Sequence, residues 1–372
     1  MRKALYIFLL FANLAVAFIL LLAYLSTHIS PAKIWILAFI GLIYPYVLTA
    51  NILFVILWTL KWKREALISL AIILLGWNHL IDYIPFRFPK SYEKAVKDTL
   101  NYKDLKILSY NVRAFNIYEW LDDRATSNNI FNLIRSERPD IVCMQEYYTG
   151  KPLPNNPEEI KQAFKETPYS HIHYAYLTGK ATGYGIATYS RYPIVKKGVV
   201  RFLNTNNISI YSDILIEKDT IRVYNNHLQS LNFQKSNYNF LDSIRFRYNE
   251  KQMSQVRDIS RRLRDAFIKR SVQVDSVSFH IKSSPFPVIV CGDFNDTPVS
   301  YTYRKMRAGL KDSFVSTGEG FGSTYLGVFP SFRIDYIFHS PRFTTIDFER
   351  IRAKLSDHYP IICHLRYSPS GE

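Results

Sequence analysis

Three long apolar runs, almost free of charged residues, occupy the first ninety positions of the chain. They extend from Ala4 to Leu25, from Ile34 to Leu60 and from Ala66 to about Ile81. A bilayer core is crossed by roughly 20 helical residues, so the pattern predicts three membrane-spanning helices. A cleaved signal peptide would explain the first run alone, and a buried helical hairpin in a soluble protein would need apolar partners that the rest of the chain does not obviously offer. We therefore expect a membrane anchor over residues 1–84.

Basic residues flank the apolar runs unevenly. Two precede the first run and three separate the second from the third, whereas the loop between the first and second holds only Lys33. Because Lys and Arg favour the cytoplasmic side, we expect the N-terminus inside and everything after Ile84 outside. Four basic residues just beyond the third run weaken this bias. The prediction is a multi-pass integral membrane protein whose remaining chain is extracytoplasmic, either periplasmic or external.

A connector with two prolines and mixed charges is expected at 85–104, and after it the pattern changes to short β-like runs separated by turn residues. The predicted strands are Lys106–Tyr110, Ile141–Gln145, Gly185–Tyr189, Ile208–Glu217, Ile221–Asn226, Val288–Cys291, Ile334–Phe338 and Ile361–Leu365. The predicted helices are Ser127–Arg135 and a longer one from Tyr248 to about Val274, which carries Met253, Val256, Leu263 and Phe267 at helical spacing. Many strands with helices outside them predict a layered α/β domain over residues 105–368.

Composition narrows the class of protein. With 372 residues, 48% of them hydrophobic and 21% charged, the chain is neither disordered nor a stapled mini-protein. Its net charge of +16 suits a polyanionic partner, either nucleic acid or an anionic membrane surface. The three cysteines lie in apolar runs, so a disulfide framework is not expected.

Polar residues capable of chemistry stand where several predicted strands end. One such residue alone is more often a turn former than a catalyst. Six such sites recur, however, and strand ends at one edge of a sandwich converge, which indicates a shared pocket. The residues are Asn111, Glu146, His227, Asp293 with Asn295, Asp335, and Asp357 with His358.

These elements together resemble the endonuclease/exonuclease/phosphatase superfamily, which includes deoxyribonuclease I, abasic-site endonucleases, sphingomyelinases and inositol polyphosphate phosphatases. The similarity covers roughly Leu105 to Tyr367, and Gly-Asp293-Phe-Asn295 and Ser-Asp-His358 are its most specific parts. The segment Gly183–Arg191 also resembles the central strand of the family. The resemblance implies a four-layer α-β-β-α sandwich with one active site at its rim.

The residue types also suit hydrolysis of an anionic phosphodiester, which needs positive charge, a deprotonated water and help for the leaving oxygen. Glu146, supported by Asn111, is expected to bind a hard divalent cation, Mg²⁺ or alternatively Mn²⁺, with Asp357 as a second ligand. The sequence has no Cys/His cluster at zinc spacing.

The resemblance assigns roles to the other residues. Asp293 would position or deprotonate the attacking water, and Asn295 would contact phosphoryl oxygens. His358, oriented by Asp335, would bind the phosphate or act as a base. His227 replaces the Tyr of abasic-site endonucleases and matches the His of deoxyribonucleases, sphingomyelinases and phosphatases; it would contact the phosphate or protonate the leaving group.

The expected function is a membrane-anchored, metal-dependent phosphoesterase, with a nuclease as the first hypothesis. A phospholipase, sphingomyelinase-like enzyme or lipid-phosphate phosphatase is the rival, favoured by the anchor and by Gln229 in His-Leu-Gln-Ser. A third hypothesis is an inactive hydrolase fold used as a binding module. Expected partners are a nucleic acid or phospholipid substrate and the bilayer around residues 1–84, with no obligate protein partner evident. Basic residues of the long helix, Arg257, Arg261, Arg264 and Arg270 among them, either contact phosphates or form a solvated face.

Overall fold

The computed structural model describes residues 3–85, 102–121, 125–150, 157–178, 182–202, 205, 207–231, 250–327 and 332–367. The first of these segments contains five helices. They are α1 (Lys3–Ser26), α2 (Ile36–Leu42), α3 (Tyr44–Leu60), α4 (Ala66–Leu75) and α5 (Trp77–Tyr83).

The second and third apolar runs are bent, whereas the first is one continuous helix. The chain bends by 62° between α2 and α3 and by 69° between α4 and α5. Pro45 lies in the first turn of α3, where its missing N–H does no harm, and Gly76 separates α4 from α5. Among the described residues, α1 alone is long and apolar enough to cross a membrane, and the number rises to three if each bent pair is one span.

The rest of the described chain forms two six-stranded mixed sheets. The first has the order β11-β12-β1-β2-β4-β3 and the second the order β5-β6-β7-β8-β10-β9. The strands of the first sheet are β1 (Lys103–Asn111), β2 (Ile141–Thr149), β3 (Tyr169–Thr178), β4 (Thr182–Ser190), β11 (Phe343–Arg350) and β12 (Ile361–Tyr367). Those of the second are β5 (Ile194–Val200), β6 (Ile208–Ile216), β7 (Asp219–His227), β8 (Val288–Asp293), β9 (Lys311–Asp312) and β10 (Asp335–His339).

Helices cover the outer face of each sheet, so the domain has four layers. The helices after β1 are α6 (Thr126–Glu137), α7 (Pro157–Ala163), α8 (Glu250–Lys282), α9 (Tyr301–Met306) and α10 (Ser313–Thr317), and Phe314 of α10 enters the core between the sheets. Helix α6 packs on the first sheet through Ile130 and Phe131, and α8 packs on the second through Val274 and Val277. Between the sheets lies an apolar core that contains all three cysteines, which are free and buried.

One parallel strand pair lies near the middle of each sheet. Strands β1 and β2 are parallel with Asn111 opposite Gln145, and β7 and β8 are parallel with His227 opposite Asp293. Parallel neighbours bring their carboxyl ends to one edge, so both sheets deliver polar residues to the same rim.

The eight predicted strands are present, and four further strands were missed. The missed strands β3, β5, β9 and β11 are the four edges of the two sheets. Edge strands carry charged and polar positions that interrupt the apolar pattern, as Lys196 and Lys197 do in β5.

Three further boundaries or positions differ from prediction. Helix α8 continues beyond Val274 to Lys282, and Val256, predicted for its apolar stripe, is 46% exposed. Strand β1 begins at Lys103, inside the predicted connector, and the rest of that connector from 86 to 101 lies outside the described residues.

Candidate functional site

Glu146 projects from a bulge in β2. The pairing of β2 with β4 shifts register between Met144 and Tyr147, and Glu146 has a left-handed backbone with φ 51°. A bulge redirects one side chain of a strand, and such local strain concentrates at functional positions. Burial and the charge of Asp357 raise the pKa of Glu146, which also accepts a hydrogen bond from Tyr184.

Asn111 links the two sheets at the rim. Its Nδ2 donates to Asp293 Oδ2 at 3.0 Å and lies 3.5 Å from Glu146 Oε1. Its Oδ1 accepts a hydrogen bond from the Arg113 N–H at 3.1 Å. Asn111, predicted to support the metal ligand Glu146, therefore holds the carboxylates of Glu146 and Asp293 near each other.

Asp335 and His358 form a buried pair beside Asp293. His358 Nδ1 lies 2.8 Å from Asp335 Oδ2, and its Nε2 lies 3.7 Å from Asp293 Oδ2. Burial alone lowers the pKa of His358, but the charges of Asp335 and Asp293 outweigh it and raise the pKa to about 10. His358 is therefore a cation at neutral pH, which favours phosphate binding over the base role.

Asp293 is buried where β8 ends. Burial, with the nearby charge of Asp335, raises the pKa of Asp293 to about 6, although His358 opposes the shift. The preceding Gly292 has φ 141°, and a Cβ there would lie 2.0 Å from the Asn226 carbonyl oxygen, so glycine is required. The Asn295 N–H donates to Asp293 Oδ1 at 2.8 Å and fixes the carboxylate.

His227 offers a buried nitrogen to the same space. Its Nε2 has no hydrogen-bond partner among the described residues and lies 3.6 Å from Glu146 Oε1 and 3.9 Å from Asp293 Oδ2. Burial lowers the pKa of this imidazole, so it is neutral at pH 7. A neutral imidazole here can contact a phosphoryl oxygen.

Asn295 and Asp357 occupy the edges of the site. Asn295 Nδ2 donates to the Leu228 carbonyl oxygen at 3.0 Å, and Asp357 Oδ2 lies 3.3 Å from Arg113 Nε. The structure thus gathers all eight predicted site residues at one rim, while their individual roles stay predictions.

The loop after β1 contains functional candidates that sequence reasoning missed. Residues 113–116 all have left-handed backbones, with φ between 43° and 63°. The Arg113 guanidinium lies 4.4 Å above the Trp120 ring, and Tyr118 meets Trp120 edge-on at 6.0 Å. Both rings are at least half exposed. Only the position of this loop directly after Asn111 could have signalled its importance, since it has no periodicity.

Arg270 corrects the interpretation of the long helix. It is 1% exposed, its Nη1 lies 3.0 Å from Asp296 Oδ2, and its Nε donates to the Gln229 carbonyl oxygen at 3.0 Å. Arg270 therefore supports the segments after β7 and β8 from inside the protein. Arg257 and Arg261 are exposed, and Arg261 pairs with Asp258.

Two groups of side chains at the rim qualify as metal ligands. Asp293, Asp335 and His358 have ligand atoms within 4.8 Å of one another, but Asp335 and His358 already satisfy each other. Glu146 and Asp357 are two carboxylates close enough for Asp357 to raise the pKa of Glu146, a repulsion that a cation would relieve. Their hard oxygen atoms are of the kind that Mg²⁺ and Mn²⁺ prefer.

Comparisons with known proteins agree with this geometry. The model of the Endonuclease/Exonuclease/phosphatase family matches residues 108–358, more than half of the chain, and that of a domain of unknown function matches residues 6–83. A comparison with curated proteins gave no match.

Among solved structures, an endonuclease/exonuclease/phosphatase from Beutenbergia cavernae is 18% identical, with 72% of each chain covered and a TM-score of 0.51. One from Bacteroides vulgatus is 16% identical over 71% of this chain and 98% of the other, with a TM-score of 0.49. TDP2 from D. rerio, complexed with a single-strand DNA product, is 17% identical over 71% and 99%, with a TM-score of 0.47. At this identity, the first likeness shows the fold alone.

Proposed function

This chain belongs to the endonuclease/exonuclease/phosphatase family, and we propose that it is a membrane-anchored, metal-dependent phosphoesterase that cleaves nucleic acid. The observation that carries the proposal is the convergence of Glu146, Asp293 and two histidines on one small region. His227 Nε2 and His358 Nε2 both lie within 4 Å of Asp293 Oδ2. A phosphoryl group held among them would face the Asp293 carboxylate, which is the proposed base, and the Nε2 atoms of His227 and His358.

Each side chain has a distinct task in hydrolysis. A divalent cation bound by Glu146 and Asp357 would neutralise phosphate charge and polarise the phosphorus–oxygen bond. Asp293, with its pKa near neutrality, accepts the proton of the attacking water. Cationic His358 stabilises the negative charge that grows on the phosphoryl oxygens, and His227 contacts the leaving oxygen.

The loop after β1 favours nucleic acid over lipid. Exposed Trp120 and Tyr118 provide flat apolar faces on which bases stack, and stacking contributes about 1–3 kcal/mol per base. Arg113 places a guanidinium between the Trp120 ring and Asp357 at the site. A polynucleotide supplies both a phosphate for the site and a planar base for the loop.

Contacts within the apolar segments support three membrane crossings. At one end of the bundle, Tyr6 of α1 hydrogen-bonds to Glu65 ahead of α4. At the other end, the α2 ring of Phe39 packs on Phe267 and the α5 carboxylate of Asp82 pairs with Arg307. We propose three crossings over residues 1–84, a connector that ends where β1 begins at Lys103, and an extracytoplasmic catalytic domain that starts with this strand.

A buried polar cluster joins these segments. Ser69 of α4 donates to Asn51 of α3 at 2.9 Å, and it also hydrogen-bonds to Asn13 of α1. Hydrogen bonds of this kind hold membrane helices together. The cluster therefore supports a bundle of three associated spans.

Lipid hydrolysis is the second candidate function. The observation that favours it is the docking of the catalytic domain on the anchor, where Val299 enters the apolar core of the bundle. That contact keeps the site near the bilayer surface, where phospholipid headgroups are concentrated. An inactive binding module is disfavoured, because every residue that the chemistry requires is present.

Full-length protein in nanodiscs with Mg²⁺ tests the choice of substrate. We expect cleavage of single-stranded DNA or RNA, and a raised KM for Trp120→Ala, because the stacking surface is lost. Tyr169→Ala, which removes another exposed ring at the other end of β3, opposite Ser190, is the matched control and should leave KM unchanged. Turnover of sphingomyelin or phospholipid vesicles together with inert nucleic acid would reject the nuclease and favour the lipid enzyme.

A further inference from the structure

The outer end of the anchor is joined to the catalytic domain by charged groups. The Asp82 carboxylate, in the last turn of α5, pairs with Arg307 Nη1, and the Asp82 carbonyl oxygen accepts a hydrogen bond from Arg333 Nη2 at 2.6 Å. Arg333 is 1% exposed. A residue of the membrane anchor therefore supplies a hydrogen-bond acceptor to a fully buried guanidinium of the hydrolase domain.

These groups form a closed network of four charges. Arg333 Nη1 donates to Asp312 Oδ2 at 2.7 Å, and the Tyr303 hydroxyl donates to the same carboxylate at 2.8 Å. Arg307 Nη1 in turn donates to the Tyr303 hydroxyl at 3.1 Å. Two arginines are balanced by two aspartates, and Asp82 supplies half of the negative charge.

The network borders the segment that carries Asp335. Arg333 stands two residues before Asp335, and its carbonyl oxygen accepts a hydrogen bond from the Tyr336 hydroxyl at 2.7 Å. The same hydroxyl lies 2.8 Å from the carbonyl oxygen of Asp296, next to Asn295. The position of Arg333 is thus coupled to both loops that line the site.

We propose that Asp82 is a positioning residue for the catalytic site, so that the membrane anchor completes the active hydrolase rather than merely tethering it. Loss of the Asp82 charge keeps the carbonyl oxygen that binds Arg333 but leaves Arg307 without its carboxylate partner, so Arg307 is drawn towards Asp312, the partner of Arg333. An unpaired, partly buried charge is costly, so the arginines and their backbone would shift. A shift of Arg333 moves Asp335, and through it the imidazole of His358.

Apolar packing makes the interface specific. Val299 is fully buried against the anchor, and a Cβ on Gly41 would lie 2.7 Å from the Val299 carbonyl oxygen. Phe39 and Phe267 pack edge-on at 5.4 Å. A flexible tether requires none of these contacts, whereas a component of the active domain does.

The test uses full-length protein in nanodiscs and rests on the proposed hydrolysis. Asp82→Asn should lower kcat by about 10-fold or more with little change in KM, as expected when a catalytic group is displaced. It should also speed hydrogen exchange over residues 332–339. Asp104→Asn, which breaks an exposed arginine pair on β1, is the matched control and should change neither.

Two further variants separate positioning from folding. Asp82→Glu keeps the charge and should retain most activity, and Asp82→Asn combined with Arg307→Gln should recover kcat because the unpaired cation is removed. Wild-type kcat and exchange in Asp82→Asn would overturn the proposal, as would failure of the double variant to recover either. A wild-type protein without turnover would refute only the proposed function, since exchange at 332–339 still decides the coupling.

Discussion

His358 Nδ1 lies 2.8 Å from Asp335 Oδ2, and both side chains are buried. The carboxylate fixes the orientation of the ring and keeps it protonated, because it outweighs the effect of burial on the pKa of His358. The opposite nitrogen, Nε2, then faces Asp293 at 3.7 Å. The buried Asp335 carboxylate therefore keeps the His358 imidazole positively charged, and a phosphate would bind on the Nε2 side of the ring.

Asp335→Asn is expected to lower kcat/KM by ~10² or more, because His358 loses the charge that holds its proton. The pKa of His358, about 10 in the native protein, should fall. Activity that needs the imidazolium is present below that pKa, so the alkaline limb of the rate profile should move to lower pH. An unchanged alkaline limb in a folded variant would contradict this role.

Glu146→Gln should abolish hydrolysis, and excess chelator should do the same to the wild-type protein. The substitution keeps the size of the side chain and removes the negative charge proposed to bind the cation. Glu217→Gln, which alters a surface pair with Lys103, is the control. Activity that persists undiminished in chelator would eliminate the metal assignment.

Asp293 should set the acidic limb of the rate profile. Its pKa of about 6 means that the carboxylate form, which accepts a proton from water, accumulates as the pH rises through 6. Asp293→Asn should reduce kcat by ~10² or more and remove that limb. A titration of kcat against pH checks both, and near-full activity of the folded variant would exclude the base role.

Acid should destabilise the domain through His171. This imidazole accepts or donates a hydrogen bond with Ser212 Oγ at 3.0 Å, and burial lowers its pKa from 6.5 to about 4. Between pH 6.5 and pH 4 the unfolded state binds this proton more readily than the folded state. The contribution of neutral His171 to the free energy of unfolding is therefore fully present above pH 6.5 and declines as the pH falls towards 4. The loss is about 2 kcal/mol at most at pH 5. Thermal unfolding of wild type and His171→Gln at pH 7.5 and 5 should show a smaller acid shift in the variant.

Reporter fusions test the topology. Fusions after Lys3 and Arg64 should report the cytoplasm, because basic residues concentrate before the first apolar run and between the second and third. A fusion at Glu372 should report the outer side. A cytoplasmic result at Glu372 would place the catalytic domain among intracellular nucleic acids.

The sequence by itself determined the central strands and the residues at their ends. Asn111, Glu146 and Asp293 follow short apolar runs, and a strand buried on both faces needs a continuous apolar pattern that stops where the strand ends. That pattern is local, so it is visible without neighbours. The family likeness then related residues that lie far apart in the chain.

Only the tertiary structure decided which residues outside those strands matter. Trp120 follows a loop with a left-handed backbone that starts directly after Asn111. Arg270 is buried because it pairs with Asp296, which lies in another part of the chain. Asp82 contacts Arg333 across 251 positions. Such partners have no periodic spacing, since their proximity results from the packing of separate layers. The edge strands were missed for a related reason. Each pairs with a neighbouring strand on one side only, so its sequence mixes solvent-facing polar residues with core-facing apolar ones.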